Sequence, residues 1–162
     1  MVDRRGALAQ DGRRAERLEL RVPTTPGQLP AVRAMAGDLA MRMDYDLDAV
    51  EDLRLAVDEA CATLADIALS GSPLTVVFEV ARDGLRIDAW VPTTAGTDVP
   101  RDGFGWAVLH TLVDKVEAGP STQSAVAAGN GDGSPVACIA LVKQLHRPGV
   151  PTGAVDDVSV AR

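Results

Sequence analysis

The sequence predicts an α+β two-layer sandwich (an α/β protein in the broad sense), with helices on one face of a mixed, mainly antiparallel sheet. Three observations predict it. Between residues 18 and 146 the hydrophobic period switches between two and 3.6, in the order β-α-α-β-β-loop-α-β. Neither end of the chain carries either period. A length of 162 residues, 46% of them hydrophobic, suits one domain with a substantial core.

The elements follow in order. Leu18, Leu20 and Val22 alternate with charged residues, as in a half-buried strand. Thr25 and Pro26 supply an N-cap and a first-turn proline, and Leu29, Val32, Met35, Ala36, Leu39 and Met43 continue at helical spacing. Asp48-Ala49-Val50-Glu51 resembles a capping box, opening a long helix to about Leu69. Its apolar stripe is Val50, Leu53, Val57, Ala60, Cys61, Leu64, Ile67 and Ala68. A hairpin follows, Leu74 to Ala81 and Leu85 to Val91 about the turn Arg82-Asp83-Gly84. A third helix is expected from Gly105 to Lys115 and a last strand from Val136 to Leu145. Residues 1–17 and 147–162 are expected to be disordered tails, and Gly119 to Pro135 a glycine-rich loop.

Composition excludes several functions. The net charge is −7, which argues against direct nucleic-acid binding by a basic field. Aromatics are 3%, too few for a base-stacking platform. No apolar run approaches the roughly 18 residues of a membrane span, and no leader pattern opens the chain. A cytoplasmic protein that keeps off membranes is therefore expected. Cys61 and Cys138 make no metal or disulfide framework and are expected to be core thiols.

The charge is concentrated. Between Asp38 and Asp66 lie nine acids against two bases, a difference equal to the whole net charge of −7. At helical spacing Asp52, Glu59 and Asp66 fall on one line opposite the apolar stripe, with Leu55 inside the acidic arc. That face is either a solvated helix surface or a docking face for a basic protein, with Asp52, Leu55 and Asp66 as its contact residues.

The run Glu51-Asp52-Leu53-Arg54-Leu55-Ala56-Val57-Asp58-Glu59-Ala60-Cys61 resembles the N-box helix of RsbW-type anti-sigma factors, serine kinases with the GHKL (histidine-kinase-like, or Bergerat) ATPase fold. Gly103-Phe104-Gly105-Trp106 and the helix after it, ending in Asp114-Lys115-Val116-Glu117, resemble the Gly-x-Gly box of the same family. The two stand about 45 residues apart with a hairpin between, and the likeness covers 18–146. It is greatest to the UsfX-like anti-sigma-F branch.

The resemblance implies an anti-sigma factor that sequesters an alternative sigma factor of the sigma-F type. It also implies a homodimer and release by an anti-anti-sigma protein of STAS fold. The alternative it implies is an active ATP-dependent serine kinase acting on that antagonist. For a Mg-ATP site it implies Glu59 as catalytic base, with Thr63, Gly103, Phe104 and Gly105 at the nucleotide. Two positions depart from the family: Thr63 stands where it has the magnesium-holding Asn, and Val91 near its adenine-reading Asp. A threonine offers one hydroxyl and a valine no acceptor, so nucleotide binding is expected to be weak or absent. Glu59 can instead be a surface acid, and Gly103 and Gly105 a helix-entry turn.

Overall fold

A computed structural model describes residues 16–119 and 134–146. Both expected tails apart from Glu16 and Arg17, and most of the expected loop, lie outside the described residues. Strand β1 (Glu16–Pro23) is followed by a 3-10 turn (Pro26–Gln28) and helix α1 (Leu29–Arg42). Helix α2 (Leu47–Ile67), strands β2 (Pro73–Val80) and β3 (Gly84–Pro92), helix α3 (Phe104–Leu112), and strands β4 (Lys115–Gly119) and β5 (Val136–Gln144) complete the order.

The five strands form one sheet in the order β1-β2-β3-β5-β4, and every pairing is antiparallel. No parallel strand is present among the described residues, in contrast to the mixed sheet expected. The reason is β4, which the sequence pattern hid inside the third helix. α3 stops at Leu112, and the Asp114 backbone N–H donates to the Val142 carbonyl at 3.0 Å. The Asp114 carboxylate accepts from the Gln144 N–H at 2.7 Å. These bonds pull the chain onto the sheet edge, so β5 is entered from a neighbouring antiparallel strand.

The core lies between the helices and one face of the sheet. Val76 and Phe78 of β2, Leu85, Ile87, Ala89 and Val91 of β3, and Ala137, Ile139 and Leu141 of β5 point into it. α2 supplies Val50, Leu53, Val57, Ala60, Cys61 and Leu64 of the stripe read from its spacing, and Ala56 beside them. The stripe is closed at its start by Asp46, whose carboxylate accepts from the Ala49 N–H at 2.8 Å. The cap is therefore Asp46 rather than Asp48, because the chain turns at Asp44 with positive φ and enters the helix two residues early. Val77, Trp90 and Cys138 form a small separate cluster on the opposite sheet face. No helix among the described residues is long and apolar enough to cross a membrane.

Helical layer and sheet are tied at one place. The Tyr45 hydroxyl, from the α1–α2 turn, donates to the Lys143 carbonyl and accepts from the Leu85 N–H at 3.0 Å. Leu85 and Lys143 face each other across β3 and β5, so the hydroxyl sits in the ladder. Gly84 is needed beside it, since a Cβ there would lie 2.4 Å from the Lys143 carbonyl oxygen. That neighbour is backbone and cannot yield cheaply.

Two expected outcomes follow from this tie. Tyr45→Phe leaves the Leu85 N–H and the Lys143 carbonyl unpaired in a buried setting and is expected to cost about 1–3 kcal/mol of unfolding free energy, read by urea denaturation. Burial pushes the Tyr45 hydroxyl up from 10.0 to about 12 and the Cys61 thiol up from 9.0 to about 12. Both groups are held neutral in the fold, so their contribution is complete below pH 9 and is lost as pH rises towards 12. Urea midpoints falling between pH 9 and 11, and falling less in Cys61→Ala, are the expected result.

Candidate functional site

The site is built on α2, which has two working flanks and an outward strip besides its core stripe. On one flank Arg33 of α1 donates to Asp58 at 2.8 Å. On the other lies α3, antiparallel to α2. The start of α3 is placed by Gly105, where an added Cβ would lie 1.8 Å from Glu59 Oε1. Its end is held by Lys143 Nζ, which donates to the Leu112 carbonyl at 2.7 Å and to Asp52 Oδ2 at 3.1 Å. Between the flanks an outward strip carries Glu51, Leu55, Ala62 and Asp66.

The sequence-derived residues divide accordingly. Glu59, Thr63, Gly103, Phe104 and Gly105 gather where α2 meets the start of α3. Glu59 and Thr63 are half-buried and one turn apart. The Glu59 carboxylate packs directly on Gly105, and it makes no hydrogen bond or ion pair among the described residues. Gly103 caps α3 with extended backbone and open space about its Cα. Phe104, the first residue of α3, is 86% exposed.

The expected line of Asp52, Glu59 and Asp66 is not opposite the core. Asp52 and Glu59 lie along the α3 flank, since α3 covers more of α2 than periodicity shows, and Asp66 lies on the outward strip. Asp52 is half-buried and paired with Lys143, whose side chain is 15% exposed. Asp66 is exposed, with no ion pair among the described residues. Leu55, at 55% exposure, does face outward.

The base end departs further. Val91 is fully buried in the core at the end of β3. Two residues on, past the strand's end, Thr93 extends the ladder through its N–H to the Pro135 carbonyl at 3.0 Å. Its buried hydroxyl has no partner in the described structure. Sequence reading missed Thr93, and the alternation Leu85, Ile87, Ala89, Val91, Thr93 was the signal that places it on the helix-facing side. Cys61 and Cys138 are both buried, as expected. Trp106 is half-buried, edge-on to His110 with ring centroids 5.2 Å apart.

A helical layer over an antiparallel sheet, with an acid-bearing long helix against a Gly-x-Gly helix start, is the architecture of an ATPase-type sandwich. The chain belongs to the histidine kinase-like ATPase domain family, which residues 22–128 match. It is 35% identical over 100 residues to the anti-sigma-F factor RsbW of Mycobacterium tuberculosis, covering 62% of this chain and 60% of that protein. It is 29% identical over 123 residues to the serine-protein kinase RsbW of Bacillus pumilus, covering 62% of this chain and 76% of that protein. The matched region thus spans about three fifths of the mycobacterial relative. A crystal structure of the RsbU and RsbW domains of a Mycobacterium tuberculosis protein superposes with a TM-score of 0.60 at 16% identity, over 82% of this chain and 33% of that one. That likeness supports the same fold.

An ATPase-type family implies Mg-ATP, and the residues present fit it poorly. The space at Gly105, at the positive end of α3, is filled by the Glu59 carboxylate, so phosphates meet a like charge there. Thr63 offers one hydroxyl where magnesium favours several oxygen ligands, and no cluster of metal-ligating side chains is gathered among the described residues. Val91 is aliphatic. Among the described residues the Thr93 hydroxyl is the one buried side-chain polar atom without a partner, a single donor and acceptor.

Calorimetric titration of the wild type with Mg-ATP is expected to show binding weaker than about 1 mM. Thr63→Asn with Val91→Asp is expected to raise affinity by more than the two single changes together, since each serves one end of one ligand. Val91→Asp buries a carboxyl and is expected to lower the thermal midpoint as well. Tight, magnesium-dependent binding by the wild type contradicts this reading of the site.

Proposed function

We propose that this chain is an anti-sigma factor that sequesters an alternative sigma factor of the sigma-F type, without needing nucleotide to do so. The observation that carries the proposal is the outward strip of α2. Acidic Glu51 and Asp66 flank exposed Leu55 on a helix that carries six acids against one base. Sigma factors carry basic DNA-binding surfaces, so the field is complementary, raising the association rate and selecting the partner. The similarity to a relative named as an anti-sigma-F factor supports the same reading.

Release by an anti-anti-sigma protein of STAS fold, homodimer formation and a cytoplasmic setting belong to this proposal. Asp66 and Leu55 are its contact residues on α2, and the Glu51 carboxylate already accepts from Arg54 at 2.6 Å. Asp52 leaves that set, because its carboxylate is engaged by Lys143.

The second reading, an active serine kinase, is favoured by Glu59, which retains the family's acid at the start of α3. It supplies a base, and a base is worth little without an organised phosphate and metal. The sequestration reading needs neither.

Co-expression with the alternative sigma factors of the same genome, followed by co-purification, tests the proposal directly. Recovery of a sigma-F-type factor is expected, and recovery of none with folded protein overturns it. Asp66→Lys is expected to slow association at low salt by roughly twofold to tenfold and to flatten its salt dependence. Asp52→Lys is instead expected to lower stability, by setting two ammonium groups together at Lys143.

A further inference from the structure

All five aromatic residues of the chain lie among the described residues, and four of them are covered. Phe78, Trp90 and Tyr45 are buried and Trp106 is half-buried. Phe104 alone stands 86% exposed, on an element whose position is set at both ends. A phenylalanine brings 150–250 Å² of apolar surface to any contact, and an isolated one in water gains nothing for the fold. Its place is specific: Phe104 directly precedes Gly105, the α3 residue packed on Glu59 of α2, and stands one turn before half-buried Val108. Across the seam is Leu55 of α2, 55% exposed. Glu59, which touches Gly105, lies between the two walls.

We infer that the seam between α2 and α3 is a docking groove for a basic amphipathic helix of the sequestered sigma factor, with Phe104 and Leu55 as its apolar anchors. The inference rests on the anti-sigma reading and adds to it a second helix and an aromatic that the sequence had placed at the nucleotide. Charge selects the occupant. The rim is acidic, with exposed Asp66 on the α2 side and exposed Asp102 beside Phe104, while exposed Glu51 shares its carboxylate with Arg54 at 2.6 Å. The nearby Arg101 is turned away, donating to the Ala118 carbonyl at 2.8 Å and paired with Asp98. Leu55 is one turn of α2 before Glu59, so the anchors are offset by about 6 Å. That is the rise between residues i and i+4 of a helix laid along the seam. The acids around it pair with lysines or arginines at its edges. A nucleotide at Gly103 and Gly105 would meet the same residues, so docking and phosphate binding compete for the start of α3.

The test uses the full chain and a purified sigma-F-type sigma factor, with affinity read by calorimetry and fold by thermal midpoint. Phe104→Ala and Leu55→Ala are each expected to weaken binding roughly tenfold to a hundredfold, as truncated anchors do. Their midpoints should remain at the wild-type value, because both side chains are exposed. Leu47→Ala is the control. That residue is 78% exposed at the start of α2, away from the seam, and its change is expected to leave affinity unaltered. Wild-type affinity in both seam variants, with the wild type binding normally, overturns the groove and leaves the anti-sigma reading standing. Failure of the wild type to bind the sigma factor overturns both. A change from dimer to monomer in Phe104→Ala by sedimentation, with sigma affinity unchanged, assigns the seam to a second copy of the chain and also overturns the inference.

Discussion

Lys143 of β5 holds the two layers of this protein in register. Its carbonyl takes the Tyr45 hydroxyl from the α1–α2 turn, and its ammonium takes the Leu112 carbonyl that ends α3 and the Asp52 carboxylate of α2. One residue of one strand thus positions the end of α3, the second turn of α2 and the turn between α1 and α2. The ammonium is largely out of water, so its bonds to a carboxylate and a helix C-terminus are worth more than a surface pair. Gly84 opposite is the geometric condition for this arrangement.

The functional geometry follows from that node. With α3 held at Leu112, its start falls against Glu59, and the carboxylate occupies the glycine gap. The same placement sets Phe104 outward beside the acidic strip of α2. One end of the seam is thereby poorer for phosphate, and its outer surface richer for a basic apolar partner. Both consequences come from the angle of α3, without any special side chain at either place.

The fold was legible where period and chemistry agreed. The stripe of α2, the β2–β3 hairpin and the Gly103 cap are where the spacing put them, because burial on one face imposes the period directly. β4 was hidden, because its five residues carry a single large apolar side chain, Val116, too few to set a period of two. It is settled only by hydrogen bonds to residues 142 and 144. The site was legible as a list of residues and much less as an arrangement. Glu59 and Gly105 were both singled out, yet their contact depends on the crossing of two helices. Asp52 looked like its neighbour Asp66 in sequence, and its engagement by a lysine 91 residues away is a tertiary fact. Phe104 read as part of a nucleotide turn, since an apolar residue's exposure cannot be seen in a period of one.

The central claim is that partner binding here has been separated from nucleotide. By linkage, a ligand that alters the affinity for a second ligand is itself altered by it to the same degree. One measurement therefore tests the claim most directly: the affinity for a purified sigma-F-type sigma factor, titrated without nucleotide and again in millimolar Mg-ATP. The account predicts the same dissociation constant in both, within about twofold. A tightening of tenfold or more on adding Mg-ATP, about 1.4 kcal/mol of coupling, would contradict it and show that nucleotide still sets the binding surface.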